Sequence, residues 1–390
     1  MTWPLMSNNI TDGDADALVK FLSQRPLPIL TNSKKVREFE EAWSKWLGIK
    51  YSVFVNSGSS ANILTLVLLQ VVADRKNRRE VIVSPLNWVS DISAILHAGL
   101  TPIFCDINPK TLALDEDQLL KCIGPNTLAV LLTHILGYNG LTQKILDATK
   151  NIYLIEDVCE SPGATFNGKK VGTFGAVSNF SFYYAHHMTS IEGGMVCTNN
   201  EWTYERARIL RSHGMLRESD SAILKSDTIK SLPDLNPDFI FMQDAYNFRS
   251  TEINAVLALN QLPRLDENNA KRRENIATFL NNLNPTRYVT DFNLEGNSNY
   301  AFTLMLKDKD ILLRNQVEKV LRENEVEFRR GMSGGGNQLR QPYLTRRYGT
   351  HYAEKFPNCD HCHFFGWYIG NYPELEIKNI IWLTQLLNAI

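Results

Sequence analysis

The sequence predicts an α/β fold built on one large, mostly parallel β-sheet. Short apolar segments alternate with helical segments through the first two thirds of the 390 residues, which is the pattern of strands linked by crossover helices. A hydrophobic fraction of 44% can fill one large core or two. We therefore expect a large domain at residues 1–260 and a smaller C-terminal α/β domain at residues 261–390.

The elements of the large domain follow one another in a regular order. A helix at 31–48, with apolar residues at helical spacing, ends at Gly48, and the apolar strand "YSVFV" follows at 51–55. The next predicted segments are helix 61–76, strand 80–85, helix 90–99, strand 101–107, helix 115–123, strand 128–135 and strand 151–158.

Residues 251–283 predict a long helix that is interrupted near Pro263, because proline cannot donate the helical hydrogen bond. The predicted domain boundary lies at this interruption. Beyond it the sequence predicts a strand at 300–307, a helix at 310–325 and an irregular Gly-rich and Arg-rich stretch.

The composition excludes some classes of function. The formal net charge is -1, so the chain as a whole has no electrostatic attraction for nucleic acid or for an anionic membrane. The first 20 residues lack a basic start followed by an apolar core, and no segment reaches the ~18 apolar residues of a membrane span. We expect a cytoplasmic protein whose six cysteines are mostly small buried side chains.

Two loops carry the first candidate site residues. "NSGSSAN" at 56–62 links a strand to a helix, and Gly58 would let exposed N–H groups approach a phosphate, although a plain serine-capped turn fits equally. Asp157 and Glu160 follow a later strand, at the edge where ligands of parallel sheets bind, although Asp157 also fits a helix cap.

The order of these features, with Trp88 between them and "SFYYAHHMTSIEGGM" at 181–195, resembles the DegT/DnrJ/EryC1/StrS nucleotide-sugar aminotransferase family. The resemblance extends over nearly the whole chain. It implies a fold-type I, aspartate aminotransferase-like enzyme with a seven-stranded sheet, and a homodimer with shared active sites. The implied cofactor is pyridoxal phosphate or pyridoxamine phosphate, bound by seven residues: Gly58, Ser59, Trp88, Asp157, Glu160, Ser181 and, from the partner subunit, Asn247.

His186 distinguishes this chain from most of that family. A lysine that bonds covalently to the cofactor usually lies six residues before the glutamate of the "EGG" turn, here Glu192, and that position is His186. The chain therefore resembles the subgroup with histidine at this place, the sugar 3-dehydratases. Imidazole, with an ordinary pKa of about 6.5, suits a general base near neutral pH. We predict that His186 is catalytic and that His187 is structural.

The resemblance implies removal of the C3 hydroxyl from a GDP-linked 4-keto-6-deoxy sugar, with L-glutamate restoring the amine form of the cofactor and ammonia released. The deoxysugar would serve lipopolysaccharide O-antigen synthesis. Arginine side chains suit a diphosphate, and residues 328–353 contain five of them without Lys, Asp or Glu. The predicted substrate contacts are Arg329, Arg330, Arg249 and His213; a solvated basic loop is the alternative for the arginines.

Other interpretations stay open at this stage. "CDHCH" at 359–363 matches a haem-attachment pattern, but the chain shows no export signal, and we expect no metal site. An iron–sulfur cluster is disfavoured because no cysteine occurs between Cys197 and Cys359. A cluster-free relative acting on a CDP- or dTDP-4-keto sugar, or a non-catalytic protein that binds nucleotide sugars, would retain much of the same pattern.

Overall fold

The computed structural model describes residues 2–390, apart from the side chains of residues 72–76. Fourteen α-helices and twelve strands cover this part of the chain. The helices are α1 (Asp12–Leu22), α2 (Lys34–Leu47), α3 (Gly58–Lys76), α4 (Val89–His97), α5 (Glu116–Cys122), α6 (Gln143–Ala148), α7 (Glu201–Arg211), α8 (Ala222–Ser231), α9 (Glu252–Gln261), α10 (Leu265–Asn282), α11 (Ile311–Glu323), α12 (Pro342–Tyr348), α13 (Pro357–Phe365) and α14 (Ile377–Asn388). The strands are β1 (Tyr51–Val55), β2 (Glu80–Val83), β3 (Thr101–Phe104), β4 (Thr127–Thr133), β5 (Tyr153–Asp157), β6 (Thr165–Phe166), β7 (Lys169–Lys170), β8 (Val177–Ser181), β9 (Gly194–Thr198), β10 (Ala301–Met305), β11 (Phe328–Arg330) and β12 (Gly366–Gly370).

The large sheet has seven strands in the order β1-β9-β8-β5-β4-β2-β3. Neighbouring strands in the series β8-β5-β4-β2-β3 pair in parallel, whereas β9 is antiparallel to both β1 and β8. Six of these seven strands therefore run in one direction. The predicted α/β fold with a mostly parallel sheet is confirmed. Every residue of β4 is buried, as expected for a strand covered on both faces.

Two helix boundaries follow directly from single residues. Gly48 ends α2 with a φ of 86°, a left-handed conformation that costs glycine little because it has no Cβ. Pro263 lies in a 3₁₀ turn, Leu262–Arg264, which separates α9 from α10. The predicted interruption of this long helical segment is confirmed, and its cause is the missing proline N–H.

A second sheet lies beyond this turn and is antiparallel, in the order β10-β12-β11. One continuous hydrophobic core includes Val83 of the large sheet together with Phe302 and Trp367 of the small one. The boundary between residues 260 and 261 stays a prediction. None of the helices that the structure describes combines the length and apolar character needed to cross a lipid bilayer.

Candidate active site

A cavity of about 530 Å³ opens at the carboxyl ends of the parallel strands. This is the edge where open α/β sheets bind ligands, because the strand-to-helix loops converge there. Its wall combines loops that follow β1, β2, β5 and β8 with side chains from the small sheet. The lining includes Ser57, Gly58, Ser59, Asn87, Trp88, Ser90, Thr133, Asp157, Cys159, Glu160, Ser181, Tyr183, His186, Glu192, Tyr300, Arg329, Gly334 and Tyr368.

The turn before α3 forms one end of this cavity. Gly58 is the first residue of a 19-residue helix, so free backbone N–H groups and the positive end of the helix dipole meet here. A Cβ on Gly58 would lie 2.8 Å from the Cβ of Ser181, which shows how closely the two loops approach. Gly58, Ser59 and Ser181 thus lie together, as the phosphate prediction requires.

Asp157 is the last residue of β5, is 3% exposed and lines the cavity. Its Oδ1 accepts a hydrogen bond from the backbone N–H of Cys159 at 2.8 Å, and its Oδ2 accepts one from Asn62 Nδ2 at 3.0 Å. Both oxygens are therefore fixed by donors inside the wall. This geometry holds the carboxylate in one orientation at the cavity surface.

His186 lines the same cavity and is held by packing. Tyr183 and Tyr300 contact its ring edge to face, with centroids 6.0 and 5.8 Å away. Its buried Nδ1 has no hydrogen-bond partner in the described part of the chain. Burial lowers the pKa of His186 to about 4, so the imidazole is neutral at neutral pH. This pKa lies below the ordinary value of about 6.5 for imidazole because the ring is desolvated.

His187 points elsewhere and does not line the cavity. Its Nε2 donates a hydrogen bond to the backbone carbonyl of Ser298, which fixes the ring and its tautomer. Burial lowers the pKa of His187 well below its usual value. These contacts suit the structural role predicted for His187.

Trp88 and Glu160 form further parts of the wall. Trp88 is 53% exposed, which leaves an aromatic face free at the cavity. Glu160 accepts hydrogen bonds from the backbone N–H of Leu136 at 2.7 Å and from Ser333 Oγ at 2.6 Å. Burial raises the pKa of Glu160 to about 7. Glu160 therefore ties the loop after β11 to the large domain.

Four predicted site residues do not line the cavity of the single chain: Arg330, His213, Asn247 and Arg249. Consecutive strand residues face opposite sides, so Arg329 lines the cavity while Arg330 forms a 3.1 Å ion pair with Glu318. His213 forms a backbone hydrogen bond to Tyr246, and Arg249 Nε donates to Asn247 Oδ1 at 3.1 Å. The predicted substrate contact of Arg330 is not supported by this geometry.

The sequence reasoning missed several polar residues of the site. Thr133, Tyr300 and Tyr368 line the cavity, and Asn62 positions Asp157 from α3. Thr133 and Tyr300 lie within segments predicted only as strands, Tyr368 lies beyond the last predicted element, and Asn62 is the last residue of the "NSGSSAN" turn, in which only Gly58 and Ser59 were predicted site residues. The one available signal was position, since Thr133 ends a buried strand on the ligand-binding edge of the sheet.

The "CDHCH" segment forms part of α13, and both of its cysteines are buried in the hydrophobic core. His361 Nε2 contacts the Leu306 carbonyl at 2.7 Å, and His363 Nδ1 contacts the Gly335 carbonyl at 3.1 Å. Within the described residues, no group of three or more His, Cys, Asp or Glu side chains is arranged to hold a metal ion. Packing accounts for this motif.

The residues of the cavity fit a pyridoxal phosphate group. The Gly58–Ser181 approach leaves room for an anion only because position 58 lacks a Cβ, and Asp157 presents a fixed carboxylate on the same wall. His186 lines the same cavity, and its Nδ1 has no hydrogen-bond partner among the described residues. Fold and site together define the class: a pyridoxal phosphate-dependent enzyme with the aminotransferase fold.

Comparison with known proteins identifies the family. The model of the DegT/DnrJ/EryC1/StrS aminotransferase family matches residues 17–381, and the chain belongs to this family. Two curated relatives are GDP-4-keto-6-deoxy-D-mannose 3-dehydratases. The one from Yersinia pseudotuberculosis is 30% identical over 390 residues, 97% of each chain. The one from Escherichia coli is 28% identical over 392 residues, covering 99% of this chain and 100% of the relative.

Solved structures agree with this assignment. An E. coli GDP-4-keto-6-deoxy-D-mannose-3-dehydratase with bound hydrated pyridoxal phosphate superposes with a TM-score of 0.89, at 26% identity and 99% coverage of each chain. A variant GDP-4-keto-6-deoxymannose-3-dehydratase with bound GDP-perosamine gives a TM-score of 0.87, at 27% identity, covering 99% of this chain and 100% of the other. The predicted fold-type I architecture is confirmed.

Proposed function

We propose that this protein is a pyridoxal phosphate-dependent 3-dehydratase that removes the C3 hydroxyl of a GDP-linked 4-keto-6-deoxy sugar. One observation carries the proposal: His186 lines the cavity beside Asp157 and Ser181, and no lysine lines it among the described residues. An enzyme without that lysine cannot hold the aldehyde form of the cofactor covalently. The full-length similarity to two enzymes of this activity supports the same conclusion.

The chain's own residues would hold the cofactor at three points. The N–H groups at Gly58 and Ser59 and the Ser181 hydroxyl would bind its phosphate, Trp88 would stack on its ring, and Asp157 would meet its ring nitrogen. When bound in its amine form, the cofactor supplies an amine that condenses with a sugar ketone and a ring that accepts electrons.

His186 acts as base and then as acid. Because burial keeps the imidazole neutral at neutral pH, it is able to accept a carbon-bound proton at the reacting centre. The same burial makes the resulting imidazolium a strong acid. It therefore donates its proton readily to the hydroxyl leaving sugar carbon 3, which departs as water.

Arg329 would bind the substrate's diphosphate. It lines the cavity from β11, and among the described residues it forms no ion pair with a carboxylate, so its guanidinium is available for an anion. Arg330 is already paired with Glu318. This difference assigns the two adjacent arginines different roles.

L-glutamate would restore the amine form after each turnover, with ammonia and a 3-deoxy-4-keto sugar as the products of the sugar half-reaction. The functional unit would be a homodimer. Trp88 and Tyr183 are exposed large side chains that line the cavity, and Ile191, which precedes the cavity residue Glu192, is also exposed; a second copy could cover them. Asn247, Arg249 and His213 would then act on the partner's site.

The half-reaction with glutamate tests this function without the sugar. Protein loaded with pyridoxal phosphate is mixed with L-glutamate, and the absorbance of the aldehyde form is followed as it is replaced by that of the amine form. The amine-loaded protein is then offered GDP-, CDP- and dTDP-linked 4-keto-6-deoxy sugars, with deoxy product as the readout. Binding without conversion would contradict the enzyme, and a preference for CDP or dTDP would contradict the GDP assignment.

A further inference from the structure

A second carboxyl lies directly behind Asp157. Asp91 of α4 is completely buried and does not line the cavity. Its Oδ2 accepts a hydrogen bond from Thr133 Oγ1 at 2.7 Å, and its Oδ1 accepts one from Asn62 Nδ2 at 2.5 Å. Thr133 in turn accepts a hydrogen bond from Asn87 Nδ2 at 2.9 Å. Asp91 is thus fixed within a polar network beneath the cavity wall.

The Asn62 amide joins the two carboxyls. The same Nδ2 that donates to Asp91 also donates to Asp157 Oδ2 at 3.0 Å. The two carboxyl groups therefore lie against one amide nitrogen. Two ionised carboxylates this close in a buried wall would repel each other, which favours the neutral form of Asp91, the completely buried one.

The surroundings of Asp91 add no positive charge. The titratable groups that face it are Asp157 on β5, Cys159 and Glu160 in the following turn, and Tyr343 on α12. No lysine or arginine of the described chain forms an ion pair with Asp91 or Asp157. Burial, and then the neighbouring Asp157, raise the pKa of Asp91 well above its usual value.

We propose that Asp91 is a positioning residue for the cofactor: it lies behind Asp157 against the same Asn62 amide nitrogen, and its ionisation places a second negative charge behind the ring nitrogen. This inference rests on the proposed function, because it assumes the cofactor ring at Asp157. As pH rises, Asp91 ionises and favours the protonated ring. The wild-type ring nitrogen should therefore stay protonated to higher pH than Asp157 alone would allow.

The test is the pH titration of the ring nitrogen, followed by NMR of the holoenzyme loaded with pyridoxal phosphate labelled with ¹⁵N in the ring. Asp91→Asn retains the shape of the side chain, has one acceptor oxygen and one NH2 donor, and never ionises. We expect its titration midpoint to fall by at least about one pH unit, the usual effect of removing a nearby charge. An unchanged midpoint would overturn the proposal, since Asp91 would then be neutral throughout.

Asp106→Asn provides the matched control. Asp106 is also completely buried, but it accepts hydrogen bonds from the backbone N–H groups of Asn358 and Cys359 and does not line the cavity. Its midpoint should equal the wild-type value. An equal shift in this control would also overturn the proposal, because the shift would then be a general effect of losing a buried carboxyl.

Thr133→Val keeps the inference testable if Asp91→Asn does not fold. The Thr133 hydroxyl lowers the pKa of Asp91, so its removal delays ionisation of Asp91. The midpoint should fall in the same direction, and an unchanged midpoint would again overturn the proposal. If wild-type protein binds no pyridoxal phosphate, the proposed function fails as well; if it binds and dehydrates normally with unchanged midpoints, only the role of Asp91 fails.

Discussion

Replacing Gly58 by alanine should weaken cofactor binding as well as the fold. The new Cβ would lie 2.8 Å from Ser181 Cβ and 3.1 Å from Cys159 Sγ, closer than normal carbon contacts of roughly 3.5–4.0 Å. Overpacking of this kind costs about 1–3 kcal/mol, and the higher helix propensity of alanine returns up to about 1 kcal/mol. The net loss of stability should therefore be about 0–3 kcal/mol.

The effect on binding follows from the same contact. Ser181 must move away from the turn, so its hydroxyl and the Gly58 N–H no longer converge on one phosphate. Loss of one hydrogen bond to a charged group costs about 1.5–3 kcal/mol, which corresponds to a roughly 10- to 100-fold higher dissociation constant. The measurement is a titration with pyridoxal phosphate followed by absorbance, together with urea unfolding of the unloaded protein.

Gly124→Ala is the matched control for this change. A Cβ at position 124 would meet no heavy atom within 4 Å, and its effects on both binding and stability should be small. Wild-type affinity in Gly58→Ala would refute the reasoning, because the phosphate would then have to bind elsewhere.

Three further predictions concern single side chains. His186→Lys is expected to form a covalent, borohydride-reducible bond with pyridoxal phosphate and to lose dehydration; deoxy product at the wild-type rate would show that His186 is not the base. Arg329→Ala should raise KM for the nucleotide sugar at least about tenfold through loss of a charge-assisted contact, whereas Arg330→Ala should not, since Arg330 pairs with Glu318. Equal effects of the two changes would contradict this assignment. Burial raises the pKa of Glu160 in the folded protein to about 7 from its ordinary value of 4.5, so its contribution to stability is complete below pH 4.5 and is lost as pH rises through 7. Glu160→Gln should remove this loss of up to about 3 kcal/mol in urea unfolding, and an unaltered pH profile would contradict the prediction.

The parts of the fold that were predictable are those in which a local pattern has one outcome. Pro263 interrupts a helix because of its own covalent structure, and Gly48 ends one because it tolerates a left-handed backbone. The antiparallel direction of β9 was not predictable in this way. It depends on a tertiary pairing between β1 and β8, and its five residues have no periodic feature that specifies direction.

The same distinction between local sequence and tertiary contacts applies to the residues of the candidate site. His186 could be recognised because its distance along the chain from Glu192 is fixed by sequence. Its lowered pKa could not, since desolvation depends on side chains such as Tyr300 that are remote in sequence. Arg329 and Arg330 were equivalent until the structure fixed which face of β11 each occupies. The sequence alone indicated only that Asp91 is a polar residue of a predicted helix, because no local pattern shows that it is buried next to another carboxyl.

The most direct test of the central claim is the product of a single turnover. Protein loaded with pyridoxamine phosphate is mixed with GDP-4-keto-6-deoxymannose in the absence of glutamate, and the sugar and free ammonia are quantified by mass spectrometry and a coupled assay. A 3-dehydratase releases one ammonia for each 3-deoxy-4-keto sugar formed. A 4-amino sugar with its C3 hydroxyl intact and no free ammonia would contradict the account, because that product defines an aminotransferase.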